Sequence, residues 1–174
     1  GKKFFLGFAH VINAMRKCPK IIICRVHGKA IGGGVGIAAA ADYCMATNYG
    51  TIKLSELALG IGPFVIGPAV ERKIGLSAFS QLALNATEWQ TALWAKEKGL
   101  YHEVFDSIEQ LDAYVDELSQ RLAATSSSAL LALKQALWHD TQHWDQLLEE
   151  RAGISGRLVI TEASQKAIRE SKIV

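Results

Sequence analysis

VHGKAIGGGVGIAAAAD, residues 26–42, is the stretch on which the reading of this chain turns. It follows a run of β-branched residues and runs into alanines, so it reads as a strand, a glycine turn and a helix beginning near Gly33. The first N–H groups of a helix have no acceptor within it, and their dipoles sum to a partial positive charge. Such a turn can receive an anion. Gly32, Gly33 and Gly34 would let a ligand reach bare backbone. They would equally suit a helix start packed tightly against a neighbouring strand, and the local sequence leaves both readings open. The nucleotide motifs fit poorly. Ile37 stands where a dinucleotide fingerprint needs its third glycine, Asp42 comes too early for a ribose acid, and no Lys-Ser or Lys-Thr closes a phosphate loop. What remains are backbone donors suited to a small oxyanion, such as a thioester enolate or a tetrahedral intermediate.

Working outward, apolar residues from Phe4 to Met15 recur every three or four positions, which predicts an amphipathic helix over residues 3–17 ended by Pro19. Residues 21–26 read as a strand buried on both faces and aimed at the glycine turn. Beyond the turn, residues 43–47 form a second strand, residues 48–50 a turn, and Thr51-Ile-Lys-Leu leads to Ser55-Glu56-Leu57. Glu56 lies among Leu54, Leu57, Leu59 and Ile61. Burial there would raise its pKa toward neutrality, as a general acid or base requires. Alternatively, it caps a helix start and complements the dipole.

Two short helices over residues 64–74 and 76–85, separated by Gly75, come next. Thr87 and Gln90 form a capping box for a helix through Lys98, and residues 101–105 alternate like a short strand. Helices are then expected to Ala124 from a Ser107 cap, over residues 128–139, and over residues 145–170. His139 and His143 have the spacing of a helical metal pair but no H-E-x-x-H pattern, so no metal is expected. The four tryptophans read as core or interface. With 19 basic and 17 acidic residues and no basic block, nucleic acid is not an expected partner. The longest apolar stretch, residues 30–41, is too short and glycine-rich to cross a bilayer. Three cysteines without C-x-x-C spacing suggest neither a disulfide framework nor a thiolate metal site, and fit a reducing cytoplasm. The opening GKKFFLGF lacks the apolar core and cleavage site of a signal peptide and reads as a stretch from within a protein.

V26-H-G-K-A-I-G-G-G34 together with S55-E-L-A-L-G-I-G-P63 resembles the enoyl-CoA hydratase/isomerase superfamily, the crotonase family. A92-LWAKEKGL100 is similar to the family's helix that ends in a glycine before a strand, and the resemblance spans almost the whole chain. It implies an α/β fold: a crotonase-type spiral of ββα units over residues 1–105 with its N-terminal part missing, and a C-terminal helical assembly region over residues 106–174. It further implies acyl-CoA substrates, no cofactor beyond the coenzyme A of the substrate, no membrane association, and homotrimers or hexamers. Carried over by position, Gly33 matches one of two oxyanion donors and Glu56 the second of two family glutamates. Ala30, Ile31, Gly32, Gly36, Pro63 and Phe64 match positions along the substrate path.

Two departures follow from the same comparison. The first family glutamate falls at Gly36, leaving one carboxylate, which suits double-bond migration by a single base without excluding hydration. The family's N-terminal portion, with the second oxyanion N–H, is not in this sequence, so the chain is expected to be part of a longer protein. A non-catalytic subunit that keeps the assembly surface, and hydrolase or decarboxylase chemistry on the same scaffold, are the alternatives.

Overall fold

A computed structural model describes residues 1–171. Helix α1 (Lys2–Lys17) leads into strand β1 (Ile23–Val26), then β2 (Ala30–Ile31) and helix α2 (Gly33–Ala40). The pattern repeats with β3 (Tyr43–Thr47), β4 (Ile52–Lys53) and α3 (Gly67–Leu84). Helix α4 (Ala92–Lys98) and strand β5 (Glu103–Phe105) follow. First strands assemble into one parallel sheet in the order β1-β3-β5, while β2 and β4 pair in a second parallel sheet. Successive β-β-α units therefore stack as turns of a spiral. Cys24 lies opposite Cys44, and Met45 opposite Glu103.

Four helices complete the chain: α5 (Ile108–Ala123), α6 (Ser127–Leu137), α7 (Trp144–Leu158) and α8 (Glu162–Glu170). Helix α7 packs along α1 and contributes Trp144, Leu148 and Ala152 to the same apolar core as Val35, Ala39 and Leu54. Trp138 and Trp144 meet edge to face inside that core at 5.9 Å, while Trp89 stays partly exposed.

The structure moves several expected boundaries. The helix expected from residue 64 starts at Gly67 instead, because Pro68 has no N–H to give and is tolerated only in a first turn. Gly75, at φ +79°, breaks it into two segments as expected. The expected Thr87 cap is not used. Gln90 exchanges two backbone hydrogen bonds with Ile52, at 2.9 Å each, which draws residues before 91 toward β4. The cap passes to Thr91, whose Oγ1 accepts from the Trp94 N–H at 3.0 Å. The single helix expected over 145–170 is two: Thr161 Oγ1 donates to the Leu158 carbonyl and accepts from Ser164 N–H, ending α7 and starting α8. His139 opens a short 3-10 turn, with Nδ1 2.9 Å from the Ala136 carbonyl, and His143 precedes α7.

A buried ionic knot ties α6 to the spiral. Asp42, just after α2, accepts from Lys134 Nζ at 2.6 Å, from Trp138 Nε1 at 2.7 Å and from Ile22 N–H at 2.8 Å. Lys134 also donates to the Met15 carbonyl at 2.9 Å. Both charges are withdrawn from water, and both oxygens of the carboxylate accept hydrogen bonds.

Candidate active site

The sequence around Gly32 folds as it does because two demands meet there. The backbone turns with φ +52°, and a Cβ at that position would lie only 2.7 Å from Glu56 Oε1. No other residue type satisfies both. Gly32 N–H is used by the Lys53 carbonyl across the β2–β4 ladder. The next two amides, Gly33 and Gly34, open helix α2 and donate to no acceptor among the described residues. Phe8 of α1 lies against Gly33, where a side chain would collide with its ring. Close packing and free backbone donors, two readings of the glycine run, thus coexist in one turn.

Glu56 reaches this turn from the loop after β4. It stands at the head of a single 3-10 turn, Leu57–Leu59, yet its side chain caps nothing. Its backbone carbonyl instead accepts from Leu59 and Ile61 N–H, which fixes the loop. One carboxyl oxygen, Oε2, is buried with no hydrogen-bond partner among the described residues. Burial, only partly opposed by a backbone hydrogen bond, pushes the pKa up to about 7. Gly60 ends the turn in a left-handed conformation, and its carbonyl accepts from Ser164 Oγ of α8 at 2.8 Å.

Glu56 and Gly33 face a cavity of ≈ 380 Å³. Of the residues expected at a site, Ile31, Gly32, Gly33, Glu56, Pro63 and Phe64 line it. Ala30 and Gly36 lie behind the wall in the core: Ala30 belongs to the apolar cluster, and a side chain on Gly36 would collide with Ile66, itself a wall residue. The space beside α2 in which a second carboxylate would stand is therefore filled by an isoleucine. Sequence reading missed the part of the wall built by Phe4, Phe5 and Phe8 of α1, Ser155 of α7, Val159 at the end of α7, and Ile168 of α8. The phenylalanine triplet within the first amphipathic helix is the one local signal that could have pointed there. Among the described residues, no group of three or more His, Cys, Asp or Glu side chains could hold a metal.

The arrangement offers one carboxyl poised near neutrality, the free amide of Gly33, and a chamber apolar apart from Ser55 and Ser155. Residues 3–173 match the family model described as Enoyl-CoA hydratase/isomerase. The chain is 32% identical over 130 residues to the peroxisomal Delta(3,5)-Delta(2,4)-dienoyl-CoA isomerase of Arabidopsis thaliana, covering 72% of this chain and 45% of the relative. It is 36% identical over 119 residues to 2,3-dehydroadipyl-CoA hydratase of Escherichia coli, covering 68% of this chain and 46% of that protein. The chain thus spans about half the length of these curated relatives. The crystal structure of an enoyl-CoA hydratase from Mycobacterium avium superposes with a TM-score of 0.89 at 23% identity, over 97% of this chain and 66% of that one.

Proposed function

Because this chain belongs to the enoyl-CoA hydratase/isomerase family, we propose that it carries the acid–base half of a site that shifts a double bond in an enoyl-CoA thioester. The observation that carries this reading is Glu56, held by burial near pKa 7 beside the free amides of the Gly33 turn. Glu56 as carboxylate removes a proton from an sp³ carbon adjacent to the conjugating system. For a 3-enoyl substrate that carbon is C2, between the carbonyl and the double bond; its electron pair forms the C1–C2 double bond of a dienolate while the carbonyl π pair moves onto the thioester oxygen, which accepts a hydrogen bond from Gly33 N–H. The protonated Glu56 then returns the proton to a different carbon of the dienolate, and the double bond has migrated with no net gain or loss of atoms. Ile66 in the space beside Gly36 favours this single-base route over one in which two carboxylates activate water.

Hydration of a 2-enoyl thioester is the second reading, and it rests on the 36% identity to an enzyme named as a hydratase. No cofactor is needed in either scheme, since coenzyme A belongs to the substrate. Among the described residues no helix is long and apolar enough to cross a membrane, and the free cysteines Cys18, Cys24 and Cys44 fit a reducing compartment such as the cytoplasm.

An ultraviolet assay separates the schemes. Absorbance of the conjugated thioester rises when a 3-enoyl substrate is isomerised and falls when a 2-enoyl substrate is hydrated. In either case Glu56→Gln lowers turnover by roughly 10² to 10⁴-fold. Unchanged turnover in that variant sinks the assignment of Glu56.

A further inference from the structure

Helix α7 places a second polar group in the cavity that the mechanism above does not use. Ser155 is 1% exposed, and it lines the wall across from the glycine turn. Its Oγ is buried and has no hydrogen-bond partner among the described residues. Helical serines usually relieve such burial by bonding back to a carbonyl one turn earlier, and Ser155 does not. An unpaired hydroxyl in an apolar chamber costs free energy unless a ligand completes it. Glu56 Oε2 is the only other buried unpaired side-chain atom in that wall among the described residues, and it is already accounted for by the reacting carbons. Most of the other side chains lining the cavity are apolar, among them Phe4, Phe5, Val159 just past the end of α7, and Ile168.

We infer that Ser155 is a specificity residue that hydrogen-bonds an uncharged oxygen, a hydroxyl or a keto group, carried on the acyl chain beyond the reacting double bond. The chemistry of the wall defines the class. A plain alkyl chain leaves the Ser155 hydroxyl unpaired, whereas a chain with a neutral oxygen satisfies it. A terminal carboxylate finds no lysine or arginine among the lining residues to compensate its charge. The inference rests on the enoyl-thioester reading of the same cavity and narrows it to oxygenated chains.

The test uses the full protein and medium-chain enoyl-CoA thioesters of one length: the unsubstituted parent, a series bearing one hydroxyl at each carbon beyond the double bond in turn, and a carboxylate-tipped member. The expected result is a preference of roughly tenfold or more in kcat/KM for at least one hydroxylated chain over the parent, and in Ser155→Ala the ratio of kcat/KM between that chain and the parent falls to about one. Equal use of all chains by the native protein, a preference for the carboxylate-tipped chain, or a preference that survives in Ser155→Ala overturns it. If no thioester is turned over, the isomerase and hydratase readings fall. Calorimetric binding of the same set then decides Ser155 separately, tighter binding of a hydroxylated chain to the native protein than to Ser155→Ala supporting it and equal binding refuting it. The ligand-free protein gives an independent check: Ser155→Ala leaves the melting temperature unchanged or raises it, and a marked drop means that the hydroxyl already has an internal partner.

Discussion

Glu56 gathers the most consequence into one side chain. Its pKa, raised from 4.5 to about 7 by burial, makes the protonated form the one that the fold prefers. A carboxyl shifted upward contributes fully below the unfolded value, and that contribution is lost as pH rises through the folded value. Native stability should therefore decline between about pH 4.5 and pH 7 by up to about 3 kcal/mol through this group alone. Glu56→Gln, which stays neutral, should flatten that decline: urea titrations at pH 5 and pH 8 should give similar stability for the variant and a clear loss at pH 8 for the native protein. Since the base acts ionised, kcat/KM for isomerisation should rise with pH through an inflection near 7. Glu56 was legible from sequence because a lone acid among leucines and glycines is conspicuous. Ser155 was not, because a serine on a helix gives no hint that a wall of phenylalanines from the other end of the chain will enclose it.

At the scale of elements, the Asp42–Lys134–Trp138 knot decides whether the C-terminal helices stay on the spiral. Removing one partner of a buried pair leaves the other charge unpaired, so Lys134→Met should cost about 3–5 kcal/mol in a denaturant titration. Asp42→Asn combined with Lys134→Met should cost less than the sum of the two single changes, because no buried charge is then orphaned. Sequence alone could not place this knot, since Asp42 and Lys134 are 92 residues apart and nothing local to either one marks the partner. The strands and the glycine turn, by contrast, announce themselves in consecutive residues. Boundaries moved for two kinds of reason, a long-range backbone bridge in one case and a local side-chain bond in another. The Ile52–Gln90 bridge displaced the Thr87 cap, and the Thr161 side chain divided one apparent helix into two.

Taken whole, the chain reads as two β-β-α turns and a third first strand, covered on one side by helices from both of its ends. The β-β-α repeat cannot be seen as a sequence repeat, because β2 and β4 are only two residues long and carry no periodic pattern of their own. Helix α6 leaves Leu131, Leu133 and Leu137 partly exposed, at 38%, 52% and 43%. We propose, on the family resemblance, that this helical face joins copies of the chain. Sedimentation of the full protein should give three or six copies, and Leu133→Lys should shift the population toward monomer without loss of helical circular dichroism. A native monomer at micromolar concentration refutes that assembly.

The hydrogen bond from Ser164 to Gly60 spans 104 residues of chain. It fastens the carbonyl that ends the Glu56 turn to the last helix described, and Ile168 of that helix helps to roof the chamber. During biosynthesis Glu56 emerges from the ribosome long before α8 does. The loop that carries Glu56 is thus anchored to one of the last segments of the chain to be synthesised, and its final geometry waits on contacts made across the whole length of the fold.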